Sequence, residues 1–213
     1  MSTHTPRRLA LAIVLALSAS AWAAPDAQFQ AAFEQFQQAS QGNDSATASA
    51  ADAFDALLKT EPDNPVLMAY KGAATAMKAR TSWLPWKKMG YAEDGTALQD
   101  KALALLTAAH SAPLQHGVPA VLEVRFVAAS TFLAVPGFMN RNARGAKLLQ
   151  EVLSSPLFDA SPLGFRGGVW IKAASVAAKY QHPDEARKYL KQVIDSNAPQ
   201  SAAAQAQLAK LAS

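Results

Sequence analysis

The sequence predicts an all-α protein of about nine helices, stacked as antiparallel helical hairpins behind a short N-terminal leader. Three observations point there. Apolar residues recur at helical spacing along almost the whole chain, with little strand-like alternation. Asn, Ser or His precedes a proline where several helical stretches begin. Alanines repeatedly stand one helical turn before a large apolar residue, the arrangement that lets helices pack closely.

The leader comes first. Met1–Arg8 carries Arg7 and Arg8 and no acid, Leu9–Leu17 is an unbroken apolar run, and Ala21 and Ala23 occupy the small positions of an A-x-A cleavage site. This is the layout of a secretory signal peptide. The uncharged stretch from Leu9 to Ala23 falls short of the roughly 20 residues that span a bilayer. Cleavage after Ala23 leaves 24–213 as a single domain exported to the periplasm, and nothing else in the sequence is apolar enough to span a membrane.

Phe29, Phe33 and Phe36 mark one stripe of a first helix near 26–41, which QGNDS ends. Phe54, Leu57 and Leu58 lie on one side of a second, over 45–59, ended by EPDNP. Asn64 caps a third that opens on Pro65, where a missing N–H costs nothing, and runs to about Lys78. Thr96-Ala97-Leu98-Gln99 reads as a capping box opening the helix LQDKALALLTAAH. Further helices follow over 119–135 and in RNARGAKLLQEVLSS. Two more begin after Ser161-Pro162 and His182-Pro183, and a last one occupies roughly 200–211. The 119–135 helix has only Glu123, Arg125, Ser130 and Thr131 as polar residues, so it is expected to be covered on several sides.

Ala50 precedes Phe54, Ala102 precedes Leu106 and Ala186 precedes Leu190, each by four residues, with Ala146 similarly placed before Gln150. Pro62 stands eight residues after Phe54. Trp170, Ala173, Ala174 and Ala177 form a stripe sixteen residues ahead of Ala186, and Leu133-Ala134 is a fainter one before Ala146. Over roughly 45–200 this grammar resembles the tetratricopeptide repeat, whose second helix carries that small–large pair and closing proline. The alanines are spaced by 52, 44 and 40 residues, so the resemblance is to the hairpins and not to a regular repeat. It implies a groove that grips an extended or helical segment of another protein.

Composition narrows the chemistry. There is no cysteine, which removes disulfides, thiolate catalysis and lipid attachment at an N-terminal cysteine. The net charge of +4 loses Arg7 and Arg8 with the leader, leaving 18 basic against 16 acidic residues. That balance gives no global case for binding nucleic acid or an anionic membrane, so basic residues would matter only as a local cluster. His110, His116 and His182 form no metal-ligand spacing. No nucleophile elbow, dinucleotide fingerprint, P-loop or Ser-x-x-Lys motif occurs. Gly164–Gly168 precedes no phosphate loop, and the adjacent Glu93 and Asp94 do not face each other on a helix. No cofactor is implied, and the chain reads as non-enzymatic.

One stretch differs from its surroundings: RTSWLPWKKMGYAEDG, residues 80–95. Pro85 fits the first turn of a helix running toward Tyr91. On it Lys87 shares a face with Trp83 and Tyr91, while Trp86 and Met89 line the adjacent stripe. Trp83 and Trp86 are either wedges between hairpins or, with the basic residues, a surface that grips a ligand. Arg125, inside the most apolar helix, must snorkel out to water or find a carboxylate, with Glu93, Asp94, Asp100 and Asp159 as candidates and Glu123 pointing elsewhere. Arg80, Lys87, Lys88, Arg141, Arg144 and Arg166 would converge on an electropositive groove if the helix starts align along one edge. The sequence therefore predicts a periplasmic adaptor or scaffold that binds a protein or peptide partner of the cell envelope. The alternative is a soluble carrier of a small anionic or apolar ligand held near Arg125.

Overall fold

The computed structural model describes residues 26–211; the predicted signal peptide lies outside them. Nine α-helices run through the described residues: α1 (Asp26–Ser40), α2 (Asp44–Thr60), α3 (Pro65–Thr81), α4 (Pro85–Ala104), α5 (Ala120–Phe132), α6 (Asn142–Leu153), α7 (Leu163–Lys179), α8 (Pro183–Asp195) and α9 (Ser201–Lys210). A two-stranded antiparallel hairpin, β1 (Pro113–Gln115) and β2 (Val118–Pro119), separates α4 from α5. The protein is all-α, and among the described residues no helix is long and apolar enough to cross a membrane.

Caps place the first boundaries where the sequence puts them. Asn43 accepts a bond from the Ser45 N–H, and Asn64 accepts from Val66 and Leu67 with Pro65 in the first turn. Two other signals resolve differently. Thr96 opens no helix, because α4 runs unbroken from Pro85 to Ala104. Its hydroxyl turns back to the Ala92 carbonyl at 2.9 Å, as a threonine inside a helix does. Gln99, fully buried, donates to Thr131 Oγ1 at 2.8 Å and so ties α4 to α5. Ser161 likewise bonds the Leu157 carbonyl rather than capping α7. The stretch after Ala104, expected to remain helical to residue 110, becomes a 3-10 turn and the β-hairpin.

Neighbouring helices pack as hairpins, with α3 against both α2 and α4, and α5 against α3, α4 and α6. The buried side chains form two main clusters that meet at α5. Ala120, Val124 and Val127 face the aromatic core of α1–α3, while Leu122, Ala128 and Phe132 join the core of α6–α9. This is why α5 is apolar on nearly all sides. Ala50, Ala102 and Ala186 are each completely buried, and Ala50 clusters with Ala74 of the neighbouring α3. The tightest crossing uses glycine instead. A Cβ on Gly95 would lie 2.5 Å from the Gly72 carbonyl oxygen, and one on Gly72 would lie 2.7 Å from that of Gly95. At that point α3 and α4 touch backbone to backbone.

Candidate functional site

The α3–α4 crossing holds one end of that hairpin clear of the core. From Pro85 to Tyr91, the first two turns of α4, no residue is fully buried; burial begins at Ala92. Trp83, in the connecting turn, is 84% exposed and Trp86 is 69% exposed. They are therefore not wedges between hairpins. Leaving an indole in water forgoes on the order of 3–5 kcal/mol of burial. Lys87 and Lys88 are exposed beside them. Tyr91 is half-buried, with the Lys78 ammonium 5.1 Å from its ring centre. Arg80 donates to the Ala39 carbonyl at 2.7 Å, which also accepts from the Gly42 N–H at the end of α1.

A cleft of about 490 Å³ lies further along α4, lined by its Met89, Glu93, Thr96 and Ala97 and by Phe138, Met139 and Arg141 of the segment after α5. Phe138 is 66% exposed. At the cleft's edge Arg141 and Arg144 both reach Asp100 of α4, at 2.7 and 2.5 Å, and both guanidinium groups lie over the Phe132 ring at 5.4 Å. Two cations share one carboxylate here, and Glu93 is the acidic residue among those that line the cleft.

The predicted groove is thus assembled only in part. Arg141 and Arg144 come together on Asp100, and Lys87 and Lys88 accompany the tryptophans. Arg166 instead lies over Trp170 in α7 at 5.6 Å, within the core of the C-terminal helices. Arg125 pairs with Glu151 at 3.3 Å, not with any of the four carboxylates expected for it. The reason is topological: α5 and α6 form a hairpin that brings Glu151 alongside, and Asp100 is already held by two arginines. Neither the 490 Å³ cleft nor a smaller hollow of about 120 Å³ between α5 and α7 is lined by Arg125. In the smaller one, burial pushes the Lys172 ammonium below the usual lysine value.

A second polar arrangement escaped the sequence reading. Glu123, which does point away from Arg125, is 1% exposed in α5. The Tyr70 hydroxyl donates to its Oε1 at 2.8 Å, and His116 Nε2 stands 2.9 Å from the same oxygen. His116 lies in the β1–β2 turn at φ +25°, beside Gly117 at +74°, and its ring packs on Phe29 and Phe33 with centroids 5.0 and 4.9 Å away. Burial pushes the Glu123 carboxyl up to about 8, with the Tyr70 hydrogen bond pulling the other way. Burial, then the Glu123 charge, raises the Tyr70 phenol well above its ordinary value. The contact pins the β-hairpin to α3 and α5. Neither of the two cavities is lined by Tyr70, His116 or Glu123, and the arrangement acts as a buried clasp. Residues 46 and 53 positions apart in sequence meet here, a relation that no local spacing reveals. Phe138 and Met139 could have been suspected, since two large apolar residues sit between turn formers in PGFMN.

Among the described residues no group of three or more His, Asp or Glu side chains is placed to hold a metal ion. No protein-family model matches the chain, and no curated protein or solved structure is significantly similar to it.

Proposed function

We propose that the protein is a non-enzymatic recognition module of the periplasm that seats a segment of a protein partner in the cleft between α4 and residues 138–141. The observation that carries this reading is the placement of the exposed apolar side chains. Phe138, among the most exposed large apolar residues of the described chain, stands on one wall of the cleft, with Met139 beside it and Met89 of α4 opposite. An exposed aromatic beside other apolar side chains and charged groups in a cleft is an ordinary mark of an interaction surface. The cleft offers Met89, Met139 and Phe138 as an apolar seat and the Asp100–Arg141–Arg144 cluster as a place for an acidic side chain. Methionine in such a seat adapts to varied side chains.

Capture of partners from periplasmic extract, with wild type beside Phe138→Glu and Met89→Glu, tests this. The variants are expected to lose the captured protein, and identical partner sets would remove the cleft from the reading. A second reading, a carrier of a small ligand, is supported by the cleft's size. It falls in the range of small-molecule pockets, with Glu93 and Arg141 as polar groups in a largely apolar lining. Native mass spectrometry of gently purified protein separates the two, because a carrier keeps a small bound mass and a peptide-binding module does not.

A further inference from the structure

The projecting end of the α3–α4 hairpin combines features that the cleft does not use. Between Asp63 and Glu93 the sequence has no acid, and it carries Lys71, Lys78, Arg80, Lys87 and Lys88. Lys71 is held by Asp55. Among the described residues the other four meet no carboxylate, since Lys78 lies over Tyr91 and Arg80 on a backbone carbonyl. No side chain caps the first N–H groups of α4, so the positive end of its dipole adds to the same field. Trp83 and Trp86 stand in the middle of this charge, 84% and 69% exposed.

We propose that this end of the hairpin docks on an anionic phospholipid surface, seating Trp83 and Trp86 at headgroup depth with Lys87 and Lys88 on lipid phosphates. An indole has an apolar body and one N–H donor, which suits the boundary between acyl chains and headgroups. A lysine lays its methylene stem along apolar surface and carries its ammonium out to a phosphate. Trp83, Trp86, Lys87 and Lys88 are all exposed, and none of them lines either cavity described above, so all four are open to a surface. Seven residues of helix at about 1.5 Å each extend about 10 Å, comparable to the roughly 5–10 Å to which interfacial elements insert. Charge of a single sign makes the attraction selective for anionic lipid. The inference goes beyond the recognition reading and stands without it, because the cleft residues take no part.

The test uses protein recovered after expression of the full sequence, carrying Trp22→Phe so that the leader contributes no indole. Trp170 is buried, so any change in emission on adding vesicles reports Trp83 and Trp86. Vesicles are of phosphatidylcholine alone, or with roughly a third phosphatidylglycerol, and binding is followed by fluorescence and by co-sedimentation. Wild type is expected to shift its emission to shorter wavelength and to sediment with the anionic vesicles, less so as salt rises. Lys87→Glu/Lys88→Glu should bind at least about tenfold more weakly. Trp83→Ser/Trp86→Ser should stay in the supernatant, and Phe138→Glu should bind as wild type does. Failure of wild type to bind the anionic vesicles overturns the proposal, as does undiminished sedimentation of either tip variant, since another surface would then be responsible. An emission shift with soluble polyglutamate but not with vesicles also overturns it, assigning the tip to an acidic polypeptide. Loss of partner capture by Phe138→Glu with vesicle binding intact keeps this test separate from that of the cleft.

Discussion

Two regions of the molecule depart from the rule of apolar inside and polar outside, in opposite directions. At the end of the α3–α4 hairpin two indoles are left in water; under the β1–β2 hairpin a carboxyl is taken out of it. Both depend on α3, and nearly on the same residues. Tyr70 supplies the donor to Glu123, and Gly72, two residues on, supplies the backbone contact that sets α4 against α3. Residues within one turn of a single helix thus support an exposed end and an inward clasp. The difference lies in what removal should cost. The clasp belongs to the folding equilibrium, because its groups have no water to return to in the native state. The projection belongs to what the protein meets, because its groups are in water already.

The largest expected effect tests the shared support. Gly95→Ala should destabilise by about 2 kcal/mol net, overpacking against the Gly72 carbonyl and the Ala76 backbone costing about 3 kcal/mol against a gain in helix propensity of roughly 1 kcal/mol. Urea denaturation reads it, and a stabilised variant would mean that α3 and α4 do not touch there.

The clasp predicts a pH dependence that the projection cannot produce. Glu123 keeps its proton in the folded state up to about 8, against an ordinary value of 4.5. Between those limits the folded protein binds more protons than the unfolded chain, so rising pH favours unfolding. Stability should fall by at most about 1.4 kcal/mol per pH unit across that window and stop falling above it. Asp55, held below the ordinary carboxylate range by hydrogen bonds from Lys59 and Lys71, acts in the opposite sense, but at lower pH. Glu123→Gln keeps an acceptor for Tyr70 and cannot ionise, so its denaturation midpoint should fall less steeply than that of wild type from pH 5 to 8. An equal slope in both proteins would place the titrating group elsewhere.

The two regions also differ in how far the sequence revealed them. The all-α class was legible because helical periodicity is local, and Asn64-Pro65 marks a helix start in two residues. The unusual character of residues 80–95 was legible too, as composition. Exposure was not: whether Trp83 and Trp86 fill a gap or stand in solvent depends on where the α3–α4 crossing lies, and that is set by Gly72 and Gly95. Thr96 and Gln99 satisfy a capping pattern that a continuous helix also tolerates, and only the buried Gln99–Thr131 bond decides between them. Arg125 takes a carboxylate, one of the two outcomes its sequence setting left open, but the partner is Glu151, which enters through the α5–α6 hairpin, a fact of topology. The clasp was invisible for the same reason, since Tyr70, His116 and Glu123 share no local pattern.

Smaller effects separate the regions further. Tyr70→Phe leaves the Glu123 oxygen without its hydroxyl donor while keeping the ring stacked on Phe54. It should destabilise by about 1–2 kcal/mol, the usual cost of orphaning a buried polar group.

Trp83→Ser/Trp86→Ser should do almost nothing to stability. Tryptophan replacements in a core typically cost about 3–5 kcal/mol, because they remove both buried area and packing partners. Here neither ring is buried, and Trp86 precedes the first buried residue of α4 by six positions. The denaturation midpoint should shift by less than the equivalent of about 0.5 kcal/mol, the range of ordinary surface changes. A loss of 2 kcal/mol or more would mean that the indoles pack against the protein in solution, which would remove both the exposed face and the membrane contact built on it. An unchanged midpoint, together with lost vesicle binding, would place the contribution of these two residues entirely outside the folding equilibrium, where their exposure already puts them.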